Sequence, residues 1–131
     1  VDDLFSIKTL GFRGEALASI SAVSQLSLTT KQQLGAEAFH LLVEGGEVIS
    51  SGVKAAEKGT VIEVRNLFFN TPARKKFLKS DPVELHHIVD IVTHYALINK
   101  NVSFKLLHEN HQLLHSPYLK LLLRLCLDKI H

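Results

Sequence analysis

The spacing of apolar residues changes once, near residue 24, and that change limits the fold more than any other feature. Before it, Leu17, Ile20 and Val23 recur at intervals of three, the stripe of an amphipathic helix opened by Gly14. After it, Leu26, Leu28 and Thr30 alternate with Gln25, Ser27 and Thr29, the pattern of a half-buried strand. The period of two then persists. Phe39, Leu41 and Val43 mark a second strand, Gly45-Gly46 a hairpin turn, and Val48 to Ser50 a third strand. Thr60 to Asn66 is a fourth, rich in β-branched Val61, Ile62 and Val64. Gln32 to Glu37 and Ala55 to Gly59 read as the loops between them.

Helix signals return at Thr71-Pro72, an N-cap with Pro at the first helical position, opening a short helix from Ala73 to Leu78. Asp81-Pro82 repeats the device, with Glu84 three residues after Asp81 as in a capping box. The helix from Pro82 to about Ile98 carries Leu85, Ile88, Val89, Val92 and Ala96 on one side. Val102 to His108 and Gln112 to His115 read as strands around a Glu109-Asn110-His111 turn. Tyr118 to Ile130 reads as a leucine-rich helix, with Leu119, Leu122, Leu123, Cys126, Leu127 and Ile130 on one face. Asp2 to Ile7 reads as the end of another helix. This order predicts an α+β fold, a mostly antiparallel sheet with helices on one face.

Composition adds exclusions. Of the 131 residues, 46% are hydrophobic and 21% charged, which excludes disorder and low-complexity classes. Fifteen Lys and Arg against thirteen Asp and Glu give +2, a balance that neither demands nor forbids nucleic acid. The single cysteine, Cys126, forms no internal disulfide and fits a reducing compartment, most simply as buried filler. No apolar run is long enough to span a bilayer, and the acidic Val1-Asp2-Asp3 start is wrong for a signal peptide. The chain contains no Met and opens in mid-phrase, so a fragment is expected.

The stretch Gly11-Phe12-Arg13-Gly14-Glu15-Ala16-Leu17 brackets a turn with two glycines and runs into a helix N-terminus. Unpaired N–H groups and the helix dipole favour anions there, and glycine lets backbone approach phosphate closely. Arg13 adds a charge-assisted contact, and Glu15 in the first turn suits the dipole. Spacing alone favours the plainer alternative, a glycine loop before a helix.

The longer string Thr9 to Ile20 resembles the third ATP-binding motif of the MutL mismatch repair family, which belongs to the GHKL ATPases. Gly59-Thr60-Val61-Ile62-Glu63-Val64 is similar to the fourth motif in its MutL form. Asn66 to Lys79 resembles a block typical of MutL and its eukaryotic relatives, not of GHKL ATPases at large. The likeness runs from Val1 to about His115, in family order and at family-like spacing.

The resemblance implies that 1–116 is the C-terminal portion of a GHKL ATPase domain and 117–131 a helix leading into a further domain. It implies that Gly11, Phe12, Arg13, Gly14, Glu15, Ala16 and Leu17 close over ATP, with Arg13 to Leu17 cradling phosphates. Gly59 would sit beneath the nucleotide, and Thr60 would contact adenine directly or through water. The family's general base, its Mg²⁺ ligand and its adenine-reading Asp would precede Val1, so the 131 residues alone are expected to be inactive. Glu15 and Glu63 are not expected to serve as the base. The family's further properties are ATP-driven homodimerisation, DNA binding and coupling of a MutS-type mismatch sensor to a downstream nuclease or helicase. A cytoplasmic, nucleoid-associated location follows in a bacterium, and a nuclear one in a eukaryote.

Arg74, Lys75, Lys76 and Lys79 place four positive charges within six residues, a candidate DNA-backbone contact. The alternative is a solvated face packed by Phe77 and Leu78. His87, Asp90 and His94, with His86 adjacent, share a helix side, but a polar face opposite the apolar stripe explains them better than metal does. His111 and His115 are read the same way. Two other readings compete with the ATPase fragment: a self-contained nucleic-acid-binding module without a nucleotide site, and another GHKL enzyme such as a topoisomerase subunit. The Asn66 to Lys79 block argues against the latter.

Overall fold

The computed structural model describes residues 14–116 and 120–123. Strand β1 (Gln25–Lys31) pairs antiparallel with β2 (Ala38–Glu44) on one side and β4 (Gly59–Arg65) on the other. Strand β3 (Glu47–Lys54) joins β2, giving the order β3-β2-β1-β4. Residues directly opposite one another in a sheet share a face. The register sets Leu26 opposite Val43 and Val64, Leu28 opposite Leu41 and Ile62, and Thr30 opposite Phe39 and Thr60. Those rows form an apolar face. The reverse face carries Gln25, Glu44 and Arg65 in one row, and Ser27, Leu42 and Glu63 in the next. The period of two in the sequence is the alternation between these faces. A bulge between Leu42 and Val43 leaves Ile49 without a partner.

Helix α1 (Ala16–Ser21) lies against β1. Leu26, Ala38 and Val43 are buried, but the apolar face stays open further out, with Phe39 48%, Val53 65% and Ile62 39% exposed. Fully burying one such side chain is worth about 1.5–3 kcal/mol, against a domain reserve of about 5–15 kcal/mol. The 131 residues on their own are therefore expected to self-associate and to bind a hydrophobic dye. A sharp, cooperative melt of a monomer would contradict this.

After α2 (Pro72–Lys75), helix α3 (Asp81–Ile98) lies against the hairpin of β5 (Ser103–His108) and β6 (His111–His115). Glu109 and Asn110 both adopt positive φ, 46° and 68°, as a two-residue mirror-image turn requires. Strand β7 (Lys120–Leu123) pairs in parallel with β5, giving the order β6-β5-β7. Over Lys120–Leu123 this corrects the helix expected from Tyr118 to Ile130. An apolar run without alternation fits a helix or a buried strand equally, and here the free edge of β5 takes it. The rest of that segment, Cys126 included, and Asp2 to Ile7 lie outside the described residues.

The helix starts differ in detail too. Ser80, not Asp81, caps α3, so Glu84 sits one position later than in a capping box. Its Oε1 accepts from the Lys79 N–H at 2.7 Å, beyond the cap. Thr71 precedes α2 as expected, but its hydroxyl makes no cap bond and finds no partner. Helix α2 ends at Lys75 instead of Leu78.

Candidate nucleotide site and basic segment

Helix ends leave carbonyls unpaired, and α1 is only six residues long. Four consecutive carbonyls, from its last residue Ser21 to Ser24 just beyond it, are nonetheless all satisfied from outside the helix. Ser21 accepts from the Gly46 N–H at 2.9 Å, and Ser24 from the Gly45 N–H at 3.1 Å. Ala22 accepts from the Asn70 side-chain amide at 2.9 Å, and Val23 from the Phe68 N–H at 2.6 Å. Two donors come from the β2–β3 turn and two from the 66–70 segment.

The backbone is shaped for this. Gly45 and Gly46 take φ of 57° and 90°, which glycine tolerates without strain. Asn66 and Phe68 also turn left-handed, at 50° and 63°. Asn66 donates to Gln25 Oε1 at 2.7 Å, while a bulky residue such as Phe68 adopts that conformation only under constraint. The Asn66 to Asn70 part of the motif block thus anchors α1. Sequence reasoning missed this, because Gly45-Gly46 announces only a hairpin and the asparagines give no partner.

At the other end of α1, Gly14 is exposed with φ of 64°, and a Cβ built on it meets nothing within 4 Å. Glu15 is the N-cap, not a first-turn residue, and its side chain makes no cap bond. Ala16 and Leu17 open the helix and are exposed, so their N–H groups face no helical acceptor. Gly11, Phe12 and Arg13 lie outside the described residues.

Gly59 and Thr60 begin β4, beside the last residues of β1. Gly59 has φ of 116°, and a Cβ there would also meet open space. Thr60 Oγ1 lies 2.8 Å from Thr30 Oγ1, on the face that carries Phe39 and Ile62. A hydroxyl beside exposed apolar surface suits a flat heteroaromatic base with a polar edge. Exposed backbone N–H groups after a left-handed glycine suit phosphate. The residues present therefore fit a nucleotide. Among the described residues, no three His, Cys, Asp or Glu side chains gather.

Arg74 and Lys75 fall in α2, Lys76 caps it and Lys79 follows. All four are exposed, and none is in an ion pair among the described residues. Phe77 is 83% exposed between them, so it does not pack this face as the alternative supposed. On α3, His86 Nε2 lies 3.5 Å from Asp90 Oδ2, and the His94 Nδ1–H donates to the Asp90 carbonyl at 2.7 Å. Glu63 pairs with Arg65 at 3.6 Å on the reverse face of the sheet, away from Thr60. No helix among the described residues is long and apolar enough to cross a membrane.

No protein-family model matches the chain. Individual proteins do. It is 52% identical over 116 residues to the DNA mismatch repair protein MutL of Christiangramia forsetii, covering 88% of this chain and 19% of that protein. The MutL of Bacillus cytotoxicus is 51% identical over 115 residues, with 88% and 18% covered. The chain thus spans about a fifth of these relatives' length. Among solved structures, the Aquifex aeolicus MutL ATPase domain complexed with ADP matches with a TM-score of 0.74 and 34% identity. That match covers 87% of this chain and 45% of the other.

An antiparallel sheet, with a glycine-led helix before it and a Gly-Thr strand start within it, is the architecture of a GHKL ATPase domain. Over the matched residues, the chain belongs to the MutL family of DNA mismatch repair proteins.

Proposed function

We propose that the chain forms part of the ATP-binding N-terminal region of a MutL-type matchmaker in DNA mismatch repair. The observation that carries this reading is the likeness, over 87% of the chain, to an ATPase domain complexed with ADP. In the intact protein, Gly11 to Leu17 close over ATP with Arg13 to Leu17 cradling the phosphates, Gly59 lies beneath the nucleotide and Thr60 meets the adenine. Magnesium, when bound, neutralises phosphate charge, and its ligands come from elsewhere in the protein. ATP binding promotes a homodimer, and Arg74, Lys75, Lys76 and Lys79 contact the DNA backbone. The dimer passes the signal of a MutS-type mismatch sensor to a downstream nuclease or helicase. The bacterial relatives fit a cytoplasmic, nucleoid-associated protein.

The test is direct. ADP titrated into the intact protein is expected to bind about three- to tenfold more weakly once Thr60→Val removes the hydroxyl but keeps the β-branch. Unchanged ADP affinity in that variant would remove Thr60 from the site.

A further inference from the structure

Thr30 stands directly across from Thr60 in the β1–β4 register, and their hydroxyl oxygens are 2.8 Å apart. We propose that Thr30 is a positioning residue for the adenine contact, acting by fixing where the Thr60 hydroxyl sends its proton. The inference rests on the nucleotide reading above.

A hydroxyl holds one proton and two acceptor lone pairs. In a pair of hydroxyls, one donates and the other accepts. The ring nitrogens of adenine only accept. To reach one directly, Thr60 must keep its proton for that contact. Thr30 must then be the donor within the pair. No other group in the row competes: the next residue across from Thr30 is Phe39, which offers no hydrogen bond.

Geometry reinforces the polarity. Both residues are β-branched and stiff at χ1, and both are held in a continuous antiparallel ladder. Bonding the two oxygens therefore fixes each rotamer through the other. Thr60 meets the base with its proton already directed and little freedom left to lose, so less is lost on binding. Thr30 gives no such signal in the sequence, where it is one polar residue in an alternating strand.

The experiment compares wild type, Thr30→Val and Thr30→Ser in the intact protein, titrated with adenosine, ADP and ATP. Thr30→Val keeps shape and removes the donor. It is expected to weaken all three ligands alike, by about three- to tenfold, because the loss is at the base and not at the phosphates. Thr30→Ser keeps the donor and should stay within about twofold of wild type. Thermal melts should barely move, since Val suits a strand at least as well as Thr. Wild-type affinity in Thr30→Val overturns the proposal, provided Thr60→Val does weaken binding. Equal losses in Thr30→Ser and Thr30→Val overturn it too, because packing and not the proton would then matter. Unchanged affinity in Thr60→Val would instead overturn the nucleotide reading itself, and this inference with it.

Discussion

Replacing Gly14 with proline is expected to lower the ATP affinity of the intact protein by at least about a hundredfold. Gly14 enters α1 with φ of 64°. Proline is locked near about −65°, so the turn cannot form, and the N–H proposed to face a phosphate is lost as well. Holding a residue in an unsuitable backbone region costs about 1–3 kcal/mol, or roughly five- to 150-fold in binding, before the missing hydrogen bond is counted. Gly14→Ala separates the two effects. It keeps the N–H and finds open space for its methyl group, but left-handed backbone costs it about 1–2 kcal/mol. Alanine should therefore sit between wild type and proline. The far end of α1 is held by four separate hydrogen bonds, so the melting temperature should change much less than the affinity. Normal ATP affinity in Gly14→Pro would remove this loop from the nucleotide site.

The sheet was legible because one periodicity carries it. Leu26, Leu28, Phe39, Leu41, Val43, Ile62 and Val64 alternate in sequence and share a face in space. The turn expected at Glu109-Asn110-His111 contains Asn110, which tolerates positive φ, while His111 already belongs to β6. Lys120–Leu123, within the helix expected over Tyr118 to Ile130, forms a strand because a short apolar run fits either element, and pairing with β5 is a tertiary fact that no local pattern records. The cap of α3 slipped by one residue because Ser80 and Asp81 are both good caps side by side.

The candidate site divides in the same way. Gly14, Gly59 and Thr60 stood out through motif strings, and their positive φ values or open surroundings supply the physical reason for glycine where glycine occurs. Thr30 and Asn70 did not stand out. Each acts through a partner thirty or more positions away, Thr60 in one case and Ala22 in the other, and separations of that kind follow only from register and packing. The Asn66 to Lys79 block therefore has two halves with different work. Its first half fastens α1, and its second half displays charge.

That division makes charge reversal a clean experiment. Arg74→Glu, Lys75→Glu and Lys76→Glu together are expected to weaken DNA binding by the intact protein by roughly two orders of magnitude or more at moderate salt. Each phosphate contact contributes about 0.9 to the slope of log affinity against log salt, so three lost contacts should flatten it by about 2.7. Matched and mismatched duplexes should lose equally, because backbone contacts carry no sequence information. Folding should survive, since all three side chains are exposed and none is in an ion pair among the described residues. ATP affinity should also hold, because Asn70, Phe68 and the β2–β3 turn keep their grip on α1 whatever the charge of α2. An unaltered salt slope would make the cluster no more than a solvated surface. A loss of ATP affinity in parallel would show that the two halves of the block are mechanically joined, with α2 and α1 moving as one piece.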